Sequence, residues 1–234
     1  MRVDIFSDVR CPFCYVGKKK FEKALEQFSA KEDIEIRWHS FQLDPSLKTD
    51  PRIDPFEFFS RAKGISVKEA KLMHDHARNA GKEAGIEFNF ESQKVANSFK
   101  AHLLIQLAKK KNVANEMEEA LFEAQFIEAK NIDSEEDLIE IGKKVGFSKE
   151  EVLEALASDD LAYGIKEDEQ LARQIGVRAV PFFIFNDKYG VSGAQHPSTF
   201  LGALEKSFDE FKKGDKGLEI LSGGESCTTD GECS

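Results

Sequence analysis

Cys11-Pro12-Phe13-Cys14 follows the apolar run Val3-Asp4-Ile5-Phe6 and opens a stretch in which Val16, Lys19, Lys20, Lys23 and Leu25 read as a helix. Phe21, Leu25 and Phe28 fall on the buried side of that helix. Two cysteines two residues apart can close a disulfide or bind a metal. The first turn of a helix adds something further. Its unpaired N–H groups and the positive end of its dipole favour thiolate over thiol. Pro12 supplies no N–H at a position where a helix needs none. The placement makes Cys11 the reactive thiol of the pair.

The chain around this motif has 234 residues, room for one large domain or a domain with a sizeable insertion. Hydrophobic residues make up 41%, enough for a buried core, and 20 Phe against 3 Tyr and 1 Trp point to an aromatic interior. The net charge of −10 argues against nucleic acid or an anionic membrane as partner, because both select basic patches. No apolar run approaches the roughly 18 residues of a membrane helix. No apolar segment precedes the first strand, so no signal peptide is expected and the chain reads as cytoplasmic. Thiols are kept reduced in that compartment. Four cysteines in two close pairs therefore point to catalysis, regulation or metal binding rather than to structural disulfides.

Ile34-Glu35-Ile36-Arg37-Trp38 alternates as a half-buried strand does, and His39 to Leu43 continues it less clearly. Asp44-Pro45, Asp50-Pro51 and Asp54-Pro55 then break the pattern into a loop. From about 56 to 175 the chain reads as helical. Ala70, Met73, Ala77, Ala80 and Ala84 keep helical spacing, as do Ala96, Phe99, Leu103 and Leu107. Met117, Ala120, Ala124 and Ile127 form a third set, and Leu138, Ile141 and Val145 a fourth. Ser66 with Glu69, and Ser148 with Glu151, have capping-box spacing. Gly176 closes the last helix of the block. Val180-Pro181-Phe182-Phe183-Ile184-Phe185 is a strongly apolar strand, Asn186-Asp187-Lys188 a hairpin turn and Tyr189-Gly190-Val191 a short second strand. Pro197 opens a final helix through about Phe211, with Phe200, Leu204 and Phe208 on one face.

Strand–helix–strand, a helical block, then strand–hairpin–helix is the order of an α/β thioredoxin fold with a large inserted α-helical domain. The expected division is a thioredoxin-like domain from residues 1–54 and 176–213, and a helical insert over 55–175. Residues 214–234 read as a flexible Gly-, Ser- and Asp-rich tail that carries Cys227 and Cys233. A proline at the head of a strand is permitted. In this fold that proline is usually cis and faces the dithiol, so a cis Val180–Pro181 bond is expected.

The chain resembles the DsbA family of thioredoxin-fold oxidoreductases, in particular its cytosolic FrnE-like branch. Four features carry the resemblance: Cys11-Pro12-Phe13-Cys14, the stretch from Asn97 to His102, Gly176-Val177-Arg178-Ala179-Val180-Pro181-Phe182-Phe183, and Ser192-Gly193-Ala194-Gln195. Together they span almost the whole chain. The resemblance implies dithiol–disulfide exchange in which Cys11 attacks and Cys14 resolves the mixed disulfide. It also implies that Pro181 shapes the substrate groove and keeps metal off the thiolate. A sister branch holds glutathione-dependent isomerases of 2-hydroxychromene-2-carboxylate and kappa-class glutathione transferases, which generally carry a serine at the helix start. Both cysteines stand here, which favours redox chemistry.

The expected substrates are protein or small-molecule disulfides and thiols, glutathione among them, met at Pro12, Phe13, Val180 and His102 by a monomer or homodimer; a hydrogen-bonded core histidine is the plainer reading of His102. Neither a metal nor an organic cofactor is required. Cys227 and Cys233 are separated by five residues with Asp230-Gly231 near the centre, a spacing that can turn and bring the sulfurs together. They are candidates for a shuttle dithiol that exchanges with Cys11 and Cys14; an inert tail disulfide is the plainer reading. Three further alternatives stand beside exchange: a glutathione-dependent transferase or isomerase holding glutathione beside Val180, a peptide-binding holdase, and a zinc site. Zinc needs two more ligands than one CxxC supplies. His74 and His76 do not share a helix face and make a poor metal pair, while His39 falls on the strand and His196 precedes the last helix.

Overall fold

The computed structural model describes residues 1–214 in full and the backbone of 219–222 and 227–228. Strand β1 (Arg2–Ser7) is an interior strand of a mixed sheet. It pairs in parallel with β2 (Glu35–Ser40) and antiparallel with β4 (Phe182–Phe185). Ile5 stands opposite Trp38 on one side and Phe183 on the other. All four residues of β4 are buried, which explains its unbroken apolar run. β5 (Tyr189–Ser192) follows through a tight hairpin in which Asn186 and Asp187 both take positive φ, the conformation Asn and Asp tolerate best after glycine. The sheet order is β2-β1-β4-β5-β6, where β6 is Glu219–Ser222.

Helix α1 (Pro12–Gln27) and the last helix, α9 (Pro197–Lys213), cover one face of the sheet. Phe21 meets Phe183 at 5.5 Å and Phe200 at 5.9 Å between ring centroids, so the aromatic residues interlock across the layer. Seven helices stand between β2 and the two-residue strand β3 (Ala179–Val180): α2 (Pro55–Lys63), α3 (Val67–Glu83), α4 (Phe99–Lys110), α5 (Ala114–Phe126), α6 (Glu135–Lys144), α7 (Lys149–Leu156) and α8 (Asp159–Gln174). Local chemistry sets several starts. Ser66 and Ser148 form complete capping boxes, and Asp54, Ser134 and Ser158 accept from first-turn N–H groups. α4 begins at Phe99, later than the apolar spacing from Ala96 suggests. The Asn97 carboxamide oxygen accepts from Phe99 N–H at 2.8 Å, and its nitrogen donates to the Pro45 and Leu47 carbonyls, pinning the preceding loop.

A buried polar network ties this helical block to the sheet. His39 on β2 sits between Asp4 at 2.8 Å and Asp168 of α8 at 2.7 Å. Asp168 also accepts from Ser40 N–H, Gln106 and Lys109. Burial alone would raise the Asp168 carboxyl. His39 and Lys109 outweigh it and hold that carboxyl at about 2. The architecture is that of a thioredoxin-like fold with a helical insertion.

The expectation of a loose tail is corrected at six residues. β6 pairs in parallel with β5, and β7 (Cys227–Thr228) pairs antiparallel with β3. The physical reason is that β5 and β3 both present open strand edges, which take up further backbone.

Candidate active site around Cys11 and Cys14

The chain leaves β1 at Ser7 and turns sharply, with Cys11 N–H donating to the Asp8 carbonyl at 2.9 Å. Cys11 is the N-cap of α1 in extended backbone geometry, and Pro12 occupies the first turn. Its sulfur thus lies at the positive end of a helix that carries no acidic residue in its first turn. The Cys11 thiol donates to the Val180 carbonyl at 3.6 Å. Val180–Pro181 is cis, and Gly193 N–H donates to the Pro181 carbonyl at 2.8 Å, fixing that loop beside the dithiol. Cys11 and Cys14 therefore meet Val180 and Pro181 from a distant part of the sequence.

Both cysteines are buried. Burial pushes the Cys14 thiol well up, with the neighbouring Cys11 adding to the effect; Asp8 N–H and the Ser7 hydroxyl oppose it. A protonated inner thiol waiting for the outer sulfur to react is the arrangement a resolving cysteine needs.

Below the motif lies a polar cluster that sequence patterns did not reveal. Asp8 is wholly buried. One carboxylate oxygen accepts from Leu43 N–H at 2.7 Å, and the other accepts from Arg10 N–H and stands 3.4 Å from His102 Nε2. Burial would raise the Asp8 carboxyl, but these contacts and the Arg10 charge hold it below the usual range. Glu118 of α5 is 1% exposed, and its Oε2 has no hydrogen-bond partner among the described residues. Burial first, and the Asp8 charge with it, push its carboxyl up to about 8 against Lys18 and Lys109. Gly17 was also missed. A Cβ there would stand 2.9 Å from Pro181 Cγ, so α1 packs this close to the proline loop only because residue 17 has no side chain. A glycine inside a long amphipathic helix was the available signal.

His102 is a correction to the expected substrate contacts. It has no exposed surface and faces Asp8 behind the motif, so it supports the turn and does not line the cleft. Pro12 and Phe13 line a cavity of about 490 Å³ together with residues of α2 and α3, and the Phe13 ring lies 6.0 Å from His76. Val180 is buried. The Cys227 backbone lies opposite Val180 in the β3–β7 ladder. The Cys227 side chain and all of Cys233 fall outside the described residues. Among the described residues no three His, Cys, Asp or Glu side chains gather as a metal would need, and no helix is long and apolar enough to cross a membrane.

The profile of the DSBA-like thioredoxin domain matches residues 2–205. A probable DsbA oxidoreductase from Streptomyces coelicolor is 31% identical and superposes with a TM-score of 0.83, covering 100% of this chain and 98% of that one. The uncharacterised protein YwbO of Bacillus subtilis is 28% identical over 221 residues, 91% of this chain and 98% of its own length. A 2-hydroxychromene-2-carboxylate isomerase shares the fold at 16% identity, with a TM-score of 0.64 over 92% of this chain and 100% of its own.

Proposed function

The chain belongs to the DsbA-like thioredoxin family, and on that premise we propose that it is a thiol–disulfide oxidoreductase in which Cys11 attacks and Cys14 resolves. One observation carries the reading. Cys11 caps the positive end of α1, with its sulfur 3.6 Å from the Val180 carbonyl, while the Cys14 thiol behind it is held protonated by burial. In the forward direction the Cys11 thiolate displaces one sulfur of a substrate disulfide. Cys14 then gives up its proton and attacks Cys11, releasing the second substrate thiol. Pro181 lies across the cleft from the sulfurs and forms the wall along which substrate lies.

The substrates are protein or low-molecular-weight disulfides and thiols, glutathione included, and the setting is the cytoplasm, where such a dithiol is held reduced. Cys227 and Cys233 form the second station of a relay. The β3–β7 ladder supports this by bringing the Cys227 backbone opposite Val180, where facing Cα atoms of an antiparallel pair stand roughly 4.5–5.5 Å apart.

Insulin reduction and reactivation of scrambled ribonuclease test the main reading. Cys11→Ser should abolish both activities, and Cys14→Ser should accumulate mixed disulfides with substrate. Full activity in both assays without Cys11 sinks it. The relay fails if Cys227→Ser/Cys233→Ser leaves turnover of a protein disulfide unchanged.

A further inference from the structure

The cavity beside the motif has features that exchange alone does not call for. Its volume of about 490 Å³ falls within the roughly 300–1,000 Å³ of small-molecule sites. Aromatic and thioether side chains line it: Phe13 from α1, Phe59 from α2, Met73 from α3, and Phe90. Arg10 and Pro12, the two chain neighbours of Cys11, both line it.

Its charge runs against that of the whole protein. On a chain of net charge −10, the lining among the described residues carries Arg10, Lys63 and Lys94 and one carboxylate, Asp44. Arg10 is balanced by Asp8 and Asp44, and the Lys63 ammonium sits over the Phe59 ring at 5.4 Å. Lys94 has no ion-pair partner among the described residues. An anion entering the cavity would meet that charge in surroundings partly closed to water, where it counts for most.

The other flank is already taken. An extended polypeptide would pair with the edge of β3 next to Cys11, and β7 of this same chain pairs there instead. A small ligand needs no strand edge.

We infer that the cavity binds a low-molecular-weight disulfide with an aromatic arm bearing a carboxylate. The inference rests on the exchange reading above. The Cys11 thiolate attacks the proximal sulfur, and the distal aromatic thiolate leaves. Cys14 loses its proton to solvent and attacks Cys11, and the second aromatic thiolate leaves. The protein dithiol is oxidised by two electrons to the Cys11–Cys14 disulfide, and the ligand disulfide is reduced to two thiolates.

The test uses full-length reduced protein and three disulfides: dithiobis(nitrobenzoate), anionic and aromatic; dithiodipyridine, uncharged and aromatic; and cystamine, cationic and aliphatic. Dividing each variant's rate by that of wild type cancels the intrinsic reactivity of each reagent. Lys94→Glu should slow the anionic reagent about tenfold more than the uncharged one, the effect of one partly desolvated charge contact. Met73→Trp fills the cavity and should slow both aromatic reagents about tenfold more than cystamine. A second arm measures equilibrium binding of the inert thioether (methylthio)nitrobenzoate to Cys11→Ser/Cys14→Ser protein by calorimetry, with and without Lys94→Glu.

Thioether binding that Lys94→Glu weakens, with the two rate patterns, supports the inference. No binding, or binding and rates indifferent to both substitutions, overturns it and leaves exchange standing. A protein disulfide that reacts faster than the aromatic reagent, regardless of either substitution, overturns it in favour of a polypeptide substrate. Lys94-sensitive binding with no disulfide reacting at all keeps the site and removes the exchange reading.

Discussion

Glu118→Gln should make this protein more stable at neutral and alkaline pH, an unusual outcome for a buried polar residue. The carboxyl is 1% exposed and is held at about 8, against an ordinary value of 4.5. Between those two values the folded chain keeps a proton that the unfolded chain has lost. Stability from this group is complete below pH 4.5 and falls as pH rises through 8. The slope inside that window is at most about 1.4 kcal/mol per pH unit. From pH 5 to pH 7 wild type therefore loses roughly 2–3 kcal/mol through Glu118, a large share of the stability of a typical domain. Glutamine has the same shape and no charge to bury, so this loss disappears.

Urea unfolding followed by circular dichroism, in reductant and at several pH values from 5 to 8, measures the effect. The readout is the difference between the two proteins. His39, Asp168 and Cys14 titrate in both and cancel. The difference should be smallest at pH 5 and should grow with pH in favour of Glu118→Gln. A difference that stays flat with pH, or that favours wild type at pH 8, would refute the reasoning from burial.

Asp168→Asn should cost about 3 kcal/mol at pH 7 by urea unfolding, because it leaves His39 and Lys109 without their shared anion. Since the Asp168 carboxyl titrates at about 2, its contribution is complete above pH 3.8 and is lost as pH falls through 2, so the variant's deficit should shrink in acid. Gly17→Ala should lower the melting temperature by several degrees, an overpacking cost of about 1–3 kcal/mol, and an unchanged melt counts against the close approach to Pro181. Truncation after Gly214 should speed alkylation of Cys11 in reduced protein, because Cys11 is buried and β7 runs along the strand that receives its thiol; equal rates in both proteins refute that role for the tail.

The readable parts of this chain were those governed by local physics. The apolar run of β4, the Asn186-Asp187 turn, the two serine capping boxes and the proline-led helices all follow from short-range preferences, and the structure has them. The Cys11 position was legible for the same reason, since a strand followed by a helix start is a local pattern. The polar floor was not. Asp8, His102 and Glu118 come from a turn and two helices more than ninety residues further along, and no periodicity links them. His102 resembled a cleft residue because helical spacing says which residues share a face, not which neighbour that face meets. The cavity was hidden likewise. Phe59 and Met73 have the spacing of ordinary core residues, and only the packing of α2 and α3 against the start of α1 leaves space between them. The tail misled because its Gly-rich composition reports backbone freedom in isolation and says nothing of the strand edges waiting to pair with it.

A single sulfur cannot serve both flanks of this site at once. Cys11 has the cavity on one side, through Arg10 and Pro12, and the β3–β7 ladder on the other, through Val180. If a small disulfide oxidises the dithiol from the cavity and the tail cysteines reduce it again, the two small thiols must leave before that reduction. The two half-reactions then share an oxidised enzyme form and never a ternary complex. Steady-state rates measured at several fixed concentrations of a dithiol reductant, with the aromatic disulfide varied, should give parallel double-reciprocal lines, the pattern of a ping-pong scheme. In the Cys227→Ser/Cys233→Ser protein, the half-reaction with the aromatic disulfide should persist in single turnover while regeneration slows. Intersecting lines would mean that both reactants are bound together, and the division of Cys11 between two flanks would then be wrong.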